Sequence, residues 1–408
     1  MGCVITRAIT SVPPNVVLPA IIGAVGSLNT FVGLVGDSGT GKDSALSTAA
    51  DAVDLGYRLR RRDVGTGQGI MGQFARIRKI PATDDQLERS ETVRVLDRLL
   101  IHIPEIHALK SSSAQQGANI LPTLTAAWSG SLLGGAYKDQ KLDLEIDEHT
   151  YRLGMVAGVQ PGEAEVLIKH DPMGLPQRFV WMPATDPRAA SDHPPDWPGT
   201  MIVTLADTGP VFSELDELAR PGGVALGERV EMGVCDAART AILTERQLRN
   251  DPSIDRDPLD SHALFCRLKI AAGFAIMDGR MDVDDQDWHL AGLVMMKSRA
   301  TRAGVITSID ATARRARDAR KAEVIETALA TSSAQQAKIT AEQELGIERM
   351  KLRILDLLVR PVEGGFTKRK IKDSIRNDQR RFLSPALAEL EEAGTIMVED
   401  NRFKIAKP

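Results

Sequence analysis

The chain has 408 residues, 43% of them apolar, with a formal net charge of −4. This length and composition allow one large domain and one small one, and exclude a polycation, so any nucleic-acid contact must come from local basic patches. Three cysteines, Cys3, Cys235 and Cys266, lie far apart with no C-x-x-C spacing, which argues against a disulfide framework or a zinc site and fits a reducing cytoplasm.

The first residues, Met1-Gly2-Cys3-Val4-Ile5-Thr6, formally match a myristoylation pattern, but nothing else supports a membrane anchor and no signal peptide is visible. Residues 19–36 are apolar yet interrupted by Ser27, Asn29 and Thr30, too polar for a spanning helix. No membrane partner is expected, and residues 1–30 read as a lead-in to the first strand, Phe31-Val32-Gly33-Leu34-Val35. Directly behind it come Gly36-Asp37-Ser38-Gly39-Thr40-Gly41-Lys42 and the helix-forming Ala45-Leu46-Ser47-Thr48-Ala49-Ala50. Strand, glycine-bounded loop and helix in this order make a phosphate-binding loop. Its N–H groups turn inward around a phosphate, the helix points its positive end there, and Lys42 reaches the outer phosphates of a nucleoside triphosphate. ATP and Mg2+ are the expected ligands. One departure stands out: the usual Ser or Thr after the lysine, whose hydroxyl sits on magnesium, is Asp43, and Ser44 comes one place late. A helix turns about 100° per residue, so Ser44 does not simply take over the metal position.

From 31 to about 183 apolar strands alternate with helical stretches, the pattern of an α/β layer with a mainly parallel sheet. Leu99-Leu100-Ile101-His102-Ile103 is a buried-strand candidate followed by Pro104-Glu105. Leu153 to Val159 is a second, ending at Gln160-Pro161, and Phe179-Val180-Trp181-Met182, behind Arg178, is a third. In open α/β sheets chemistry collects at the carboxyl ends of strands, which places Glu105 and Gln160 beside the phosphate loop. Hydrolysis at such a loop needs a base to orient water, a metal and a cation for the developing charge. Glu105 is the candidate base. Pro104 stands where an Asp usually helps hold magnesium, so Asp43 is the candidate metal ligand, although an acid at a helix start is also favoured by the dipole alone. His102 reads as a core residue. Gln160 either contacts the attacking water or is an ordinary strand-end polar residue. Arg178 is a candidate arginine finger for a neighbouring subunit, or a surface ion pair.

Between Trp128 and Arg152 a hairpin is expected, with Lys138 and Lys141 near its tip; facing a ring channel it would touch single-stranded DNA, and an exposed turn without a partner reads equally well. Residues 184–200 read as a loop, 212–308 as helical, and 310–349, rich in Ala, Arg, Gln and Glu, as a long exposed helix or linker. No internal repeat is found. At the end, Met350 to Val359 forms a helix, Thr367 caps another over Lys368 to Ile375, and Ser384-Pro385 opens a third that stops at Gly394. A hairpin then crosses Asp400-Asn401. Three helices and a hairpin spell a winged helix. Between 360 and 381 eight basic residues face three acidic ones, and Lys368, Arg369, Lys370, Lys372, Arg380 and Arg381 are the candidate DNA contacts; a solvated charged face is the alternative.

The order of phosphate loop, Glu105, hairpin, Gln160-Pro161, Arg178-Phe179, helical stretch and winged helix resembles the AAA+ helicases, in the minichromosome-maintenance layout. Gln68-Gly69-Ile70, Trp128-Ser129-Gly130, Gly158-Val159-Gln160-Pro161 and Pro176-Gln177-Arg178-Phe179 are more closely similar to replicative helicase domains of actinobacterial phages and mobile elements, often joined to a primase–polymerase. The resemblance covers roughly residues 30–405. It implies an α/β P-loop NTPase of three αβα layers over 31–210, a helical lid over 211–309 with Arg267 as a sensor, a linker helix over 310–349 and a winged helix over 350–408. It also implies a hexameric homo-oligomeric ring that unwinds DNA, with an ATP-switched initiator or loader as the alternative.

Overall fold

The computed structural model describes residues 1–55, 61–63, 65–81, 89–107, 109, 120–134, 144–168, 174–186, 199–203 and 228–406. The chain divides into two units, Met1–Ala313 and Arg314–Pro408, each with its own apolar core.

The first unit is mixed α/β around a parallel sheet. Its strands are β1 (Thr30–Val35), β2 (Arg61–Arg62), β3 (Arg98–Ile103), β4 (Arg152–Val159) and β5 (Phe179–Pro183), ordered β5-β1-β4-β3-β2. Every neighbouring pair runs parallel. All residues of β1 and β4 are buried, as expected of strands covered on both faces, which read as continuous apolar runs and not as alternating ones. Because β4 lies between β1 and β3, the phosphate loop behind β1, Glu105 behind β3 and Gln160 behind β4 all emerge at one edge of the sheet.

The expected lead-in is a structural layer. Helix α1 (Gly2–Ser11) lies against the sheet: a Cβ on Gly154 of β4 would sit 2.0 Å from Thr10 Oγ1, and one on Gly2 would sit 2.9 Å from Val32 Cγ1. Its β-branched residues Val4, Ile5, Thr6, Ile9 and Thr10 lower its helix propensity, so tertiary packing makes this helix. At the start of β4, Arg152 is fully buried and donates to the carbonyl oxygens of Val12, Pro13 and Val16, to Ser27 Oγ and to Asn29 Oδ1. Burial pushes its guanidinium down to about 9, so it stays charged at neutral pH.

Helices α2 (Lys42–Ala52), α3 (Ile120–Ser129), α4 (Asp236–Leu248) and α5 (Ala263–Met277) belong to this unit, as do the shorter helices Gly67–Phe74 and Glu165–Ile168 and the first part of α6 (Asp285–Leu358). The pieces read separately as lid helix, linker and first winged-helix helix are therefore one element. Asp284 and Asp287 start it by reciprocal capping: each carboxylate accepts from the other's backbone N–H, at 2.8 and 3.1 Å. Lys269 of α5 is buried, donates to the carbonyls of Asn29 and Trp128, and lies 3.5 Å from the Trp128 ring centroid.

His262, whose ring centroid is 5.1 Å from that of Trp128, has a measurable consequence. Burial, then the nearby cations Arg178, Lys269 and Arg249, push its imidazole down to about 4. The unfolded chain, with an ordinary histidine near 6.5, then binds more protons than the folded one between these values, so stability falls as pH drops through that window. The expected loss, discounted for partial exposure, is about 2 kcal/mol between pH 7 and 4. His262→Phe should flatten that slope in denaturant titrations; an unchanged slope would contradict the assignment.

In the second unit, strands β6 (Phe366–Thr367), β7 (Ile396–Glu399) and β8 (Arg402–Ile405) form an antiparallel sheet ordered β6-β8-β7, with helices α7 (Lys368–Asp373) and α8 (Leu383–Glu392). Thr367 Oγ1 accepts from Lys370 N, as its cap position requires. Asp400 and Asn401 sit at φ 47° and 60°, the left-handed pair that a two-residue hairpin demands. Ser384 is not the cap of α8: the 3-10 turn Asn377–Phe382 runs straight into the helix, leaving Ser384 and Pro385 in its first turn. A separate core of Met350, Ile354, Ile371, Leu383, Leu387 and Phe403 holds this unit. Among the described residues no helix is long and apolar enough to cross a membrane.

Candidate nucleotide site

The loop between β1 and α2 is built by its glycines. Gly39 and Gly41 adopt φ 78° and 80°, and no heavy atom lies within 4 Å of where a Cβ would stand on either. Only glycine enters this region without strain, and the bend brings the loop round in front of the α2 N-terminus. Gly36 N donates to Val159 O at 3.0 Å, fixing the start of the loop to β4. Lys42 curls back, its Nζ donating to the carbonyls of Gly36 (2.9 Å) and Asp37 (2.7 Å). Asp37, Ser38, Gly39, Asp43 and Ser44 are exposed around it. A positive helix end, free loop curvature and an ammonium held only by loop carbonyls fit a polyphosphate.

Glu105 and Gln160 meet. Gln160 Nε2 donates to Glu105 Oε1 at 3.2 Å, and His107 Nδ1 lies 3.3 Å from Glu105 Oε2 and 3.1 Å from Glu163 Oε2. Both oxygens of Glu105 are therefore engaged. The backbone that carries Glu105 is seated on β4: Ile106 N donates to Gly158 O at 2.8 Å, and a Cβ on Gly158 would stand 2.0 Å from Pro104 O. Gly158 thus permits a close approach that any side chain would block. Lys42 lies on the same side, its Cε 3.3 Å from that same Cβ position.

His102 is more than a core residue. With 12% of its side chain exposed, it places Nε2 3.4 Å from Asp43 Oδ1 and Nδ1 3.5 Å from Asp63 Oδ1. Burial pushes the imidazole down, against the pull of the two carboxylates. It thereby links the start of α2 to the ends of β2 and β3. Sequence reading missed Asp63, His107 and Glu163; the one available signal was a charged residue just past a strand end, which becomes informative only when strand order is known.

For magnesium, no group of three or more His, Cys, Asp or Glu side chains suited to a metal occurs among the described residues. Mg2+ commonly keeps several waters and takes one or two carboxylates plus substrate phosphates, a role that Asp43, 80% exposed beside the loop, fits.

Two expected site residues are committed elsewhere. Arg178 is half-buried, its Nη1 donates to Gly174 O at 2.8 Å, and its guanidinium lies 5.4 Å from the Trp128 ring. It closes the 3-10 turn Leu175–Arg178 ahead of β5. Arg267 lies 3.7 Å from the Trp288 ring centroid and donates twice to Trp288 O, an internal brace between α5 and α6. Lys138 and Lys141 lie outside the described residues. In the second unit Lys368, Arg369, Lys370, Lys372 and Arg381 are exposed, whereas Arg380 is half-buried and bonded to Ile375 O and Asn377 Oδ1. A cavity of about 460 Å³ lined by Ile21, Ile22, Val25, Ile242, Leu264 and Phe265 adjoins the chain leading into β1, the end of that strand opposite the loop.

No protein-family model matches the chain, and no curated protein matches it.

Proposed function

We propose that the chain is a P-loop ATPase of AAA+ type with a C-terminal winged helix, a ring-forming motor that moves on single-stranded DNA in replication of a phage or mobile element. The observation that carries it is the meeting of Glu105 and Gln160, 55 residues apart in sequence, at the sheet edge where the Lys42 loop opens. In this reading Lys42 exchanges the carbonyls of Gly36 and Asp37 for the outer phosphate oxygens, and the loop N–H groups hold the rest. Mg2+, when bound beside Asp43, would neutralise charge developing on the phosphates. Glu105 orients the attacking water and accepts its proton; Gln160 and His107 hold the carboxylate in register. The exposed basic face of residues 368–381 supplies backbone contacts to DNA, and a primase–polymerase is a fitting partner.

The contacts of Arg178 with Gly174 and Trp128 of the same chain favour a second reading, an ATP-switched initiator or loader that binds DNA without unwinding it. A strand-displacement assay separates them. ATP-dependent unwinding with fixed polarity supports the motor, ATP-dependent binding without displacement supports the switch, and absence of any DNA-stimulated ATP turnover removes both.

A further inference from the structure

Every residue of α6 from 314 to 345 is exposed. At 1.5 Å per residue this is about 47 Å of helix without packing. Helices without tertiary contacts are marginal in water, and Thr327, Thr331, Ser332 and Ser333 weaken this one further. It also shows apolar side chains to solvent: Val324 is 68% exposed, Ile325 60%, Leu329 66% and Ile339 43%. Ile325, Leu329, Ser332, Gln336 and Ile339 follow each other at alternating spacings of four and three, which puts them on one face.

Charge is segregated along the same stretch. Residues 314–323 carry Arg314, Arg315, Arg317, Arg320 and Lys321 against Asp318 and Glu323, a net of +3; residues 324–348 carry Glu326, Glu342, Glu344 and Glu348 against Lys338, a net of −3. Among the described residues Glu348, with Lys351 at 2.7 Å, is the one charged side chain of this stretch in an ion pair. We propose that this part of α6 pairs with the same part of a second copy of the chain, in antiparallel orientation. That arrangement brings the basic half of each helix against the acidic half of the other and covers the Ile325–Leu329–Ile339 face, whereas a parallel pair would stack like charges. The contact is two-fold and self-complementary, so it cannot by itself propagate a ring and is independent of the subunit contacts the motor reading needs. Nucleic acid, the competing occupant, would be held by the basic half alone.

Sedimentation of the full chain without nucleotide tests this. The wild type is expected to show a concentration-dependent doubling of mass. R317E/R320E, which turns the basic half to a net of −1, should weaken dimerisation at least tenfold. Adding E342K/E344K, which turns the acidic half to +1, should restore it. These positions are exposed, and circular dichroism checks that helix content is kept. A wild type monomeric at every concentration, association indifferent to R317E/R320E, or a quadruple variant that stays dissociated each overturns the pairing. Loss of DNA affinity in R317E/R320E with no self-association in the wild type assigns the stretch to nucleic acid instead.

Discussion

Glu105→Gln is expected to lower ATP hydrolysis by about 10²–10⁴-fold while leaving ATP binding within a factor of a few. The substitution keeps the shape of the side chain and an acceptor oxygen for Gln160 Nε2, and removes the negative charge that faces His107 together with the capacity to take a proton from water. The complementary change, Lys42→Ala, removes the ammonium that now sits on Gly36 and Asp37 carbonyls and should abolish binding itself. Single-turnover hydrolysis and equilibrium binding of a fluorescent nucleotide, measured on both variants, separate the two roles. Hydrolysis unimpaired in Glu105→Gln would assign the base elsewhere, with Glu163 the next carboxylate in reach of His107.

Arg152→Ala should destabilise the first unit by about 3–5 kcal/mol, whatever the chain does with nucleotide. Its guanidinium is fully buried and satisfies three main-chain carbonyls in residues 12–16 together with Ser27 and Asn29. Truncation leaves those acceptors unpaired in a space that water does not freely reach, and unpaired buried groups cost more than the bonds contribute. Arg152→Lys should recover part of the loss, since a compact ammonium offers fewer donors and no planar fork. Denaturant unfolding followed by tryptophan fluorescence reports on this unit, because Trp128, Trp181, Trp197 and Trp288 all lie within residues 1–313. A loss under 1 kcal/mol in Arg152→Ala would mean that the chain after α1 finds other donors.

What could be read from the residues alone was local. The loop Gly36 to Lys42 and the turn Asp400-Asn401 are legible because glycine, Asn and Asp tolerate positive φ where others do not, and Thr367 because a hydroxyl three residues before an N–H caps it. The burial of residues 31–35 and 153–159 follows from their unbroken apolar runs, whereas that of Arg152 at the head of β4 does not. The same logic misread Ser384-Pro385 as a helix start, since Ser before Pro carries the right residues whether or not the preceding turn runs into the helix.

Everything that depends on strand order required the fold. Hydrophobic periodicity says that a segment is a strand but not which strand lies beside it, and the order β5-β1-β4-β3-β2 is what joins Gln160 to Glu105, Glu163 to His107 and Asp63 to His102. The direction of a side chain at an element's end is likewise tertiary: Arg178 and Arg267 carry charge suited to solvent, yet Trp128 and Trp288 offer their ring faces and carbonyls nearby offer acceptors. Backbone conformation is written over a few neighbouring residues, whereas contacts between residues some 20 to 56 apart, such as Arg267–Trp288 and Glu163–His107, are decided only when the elements pack together.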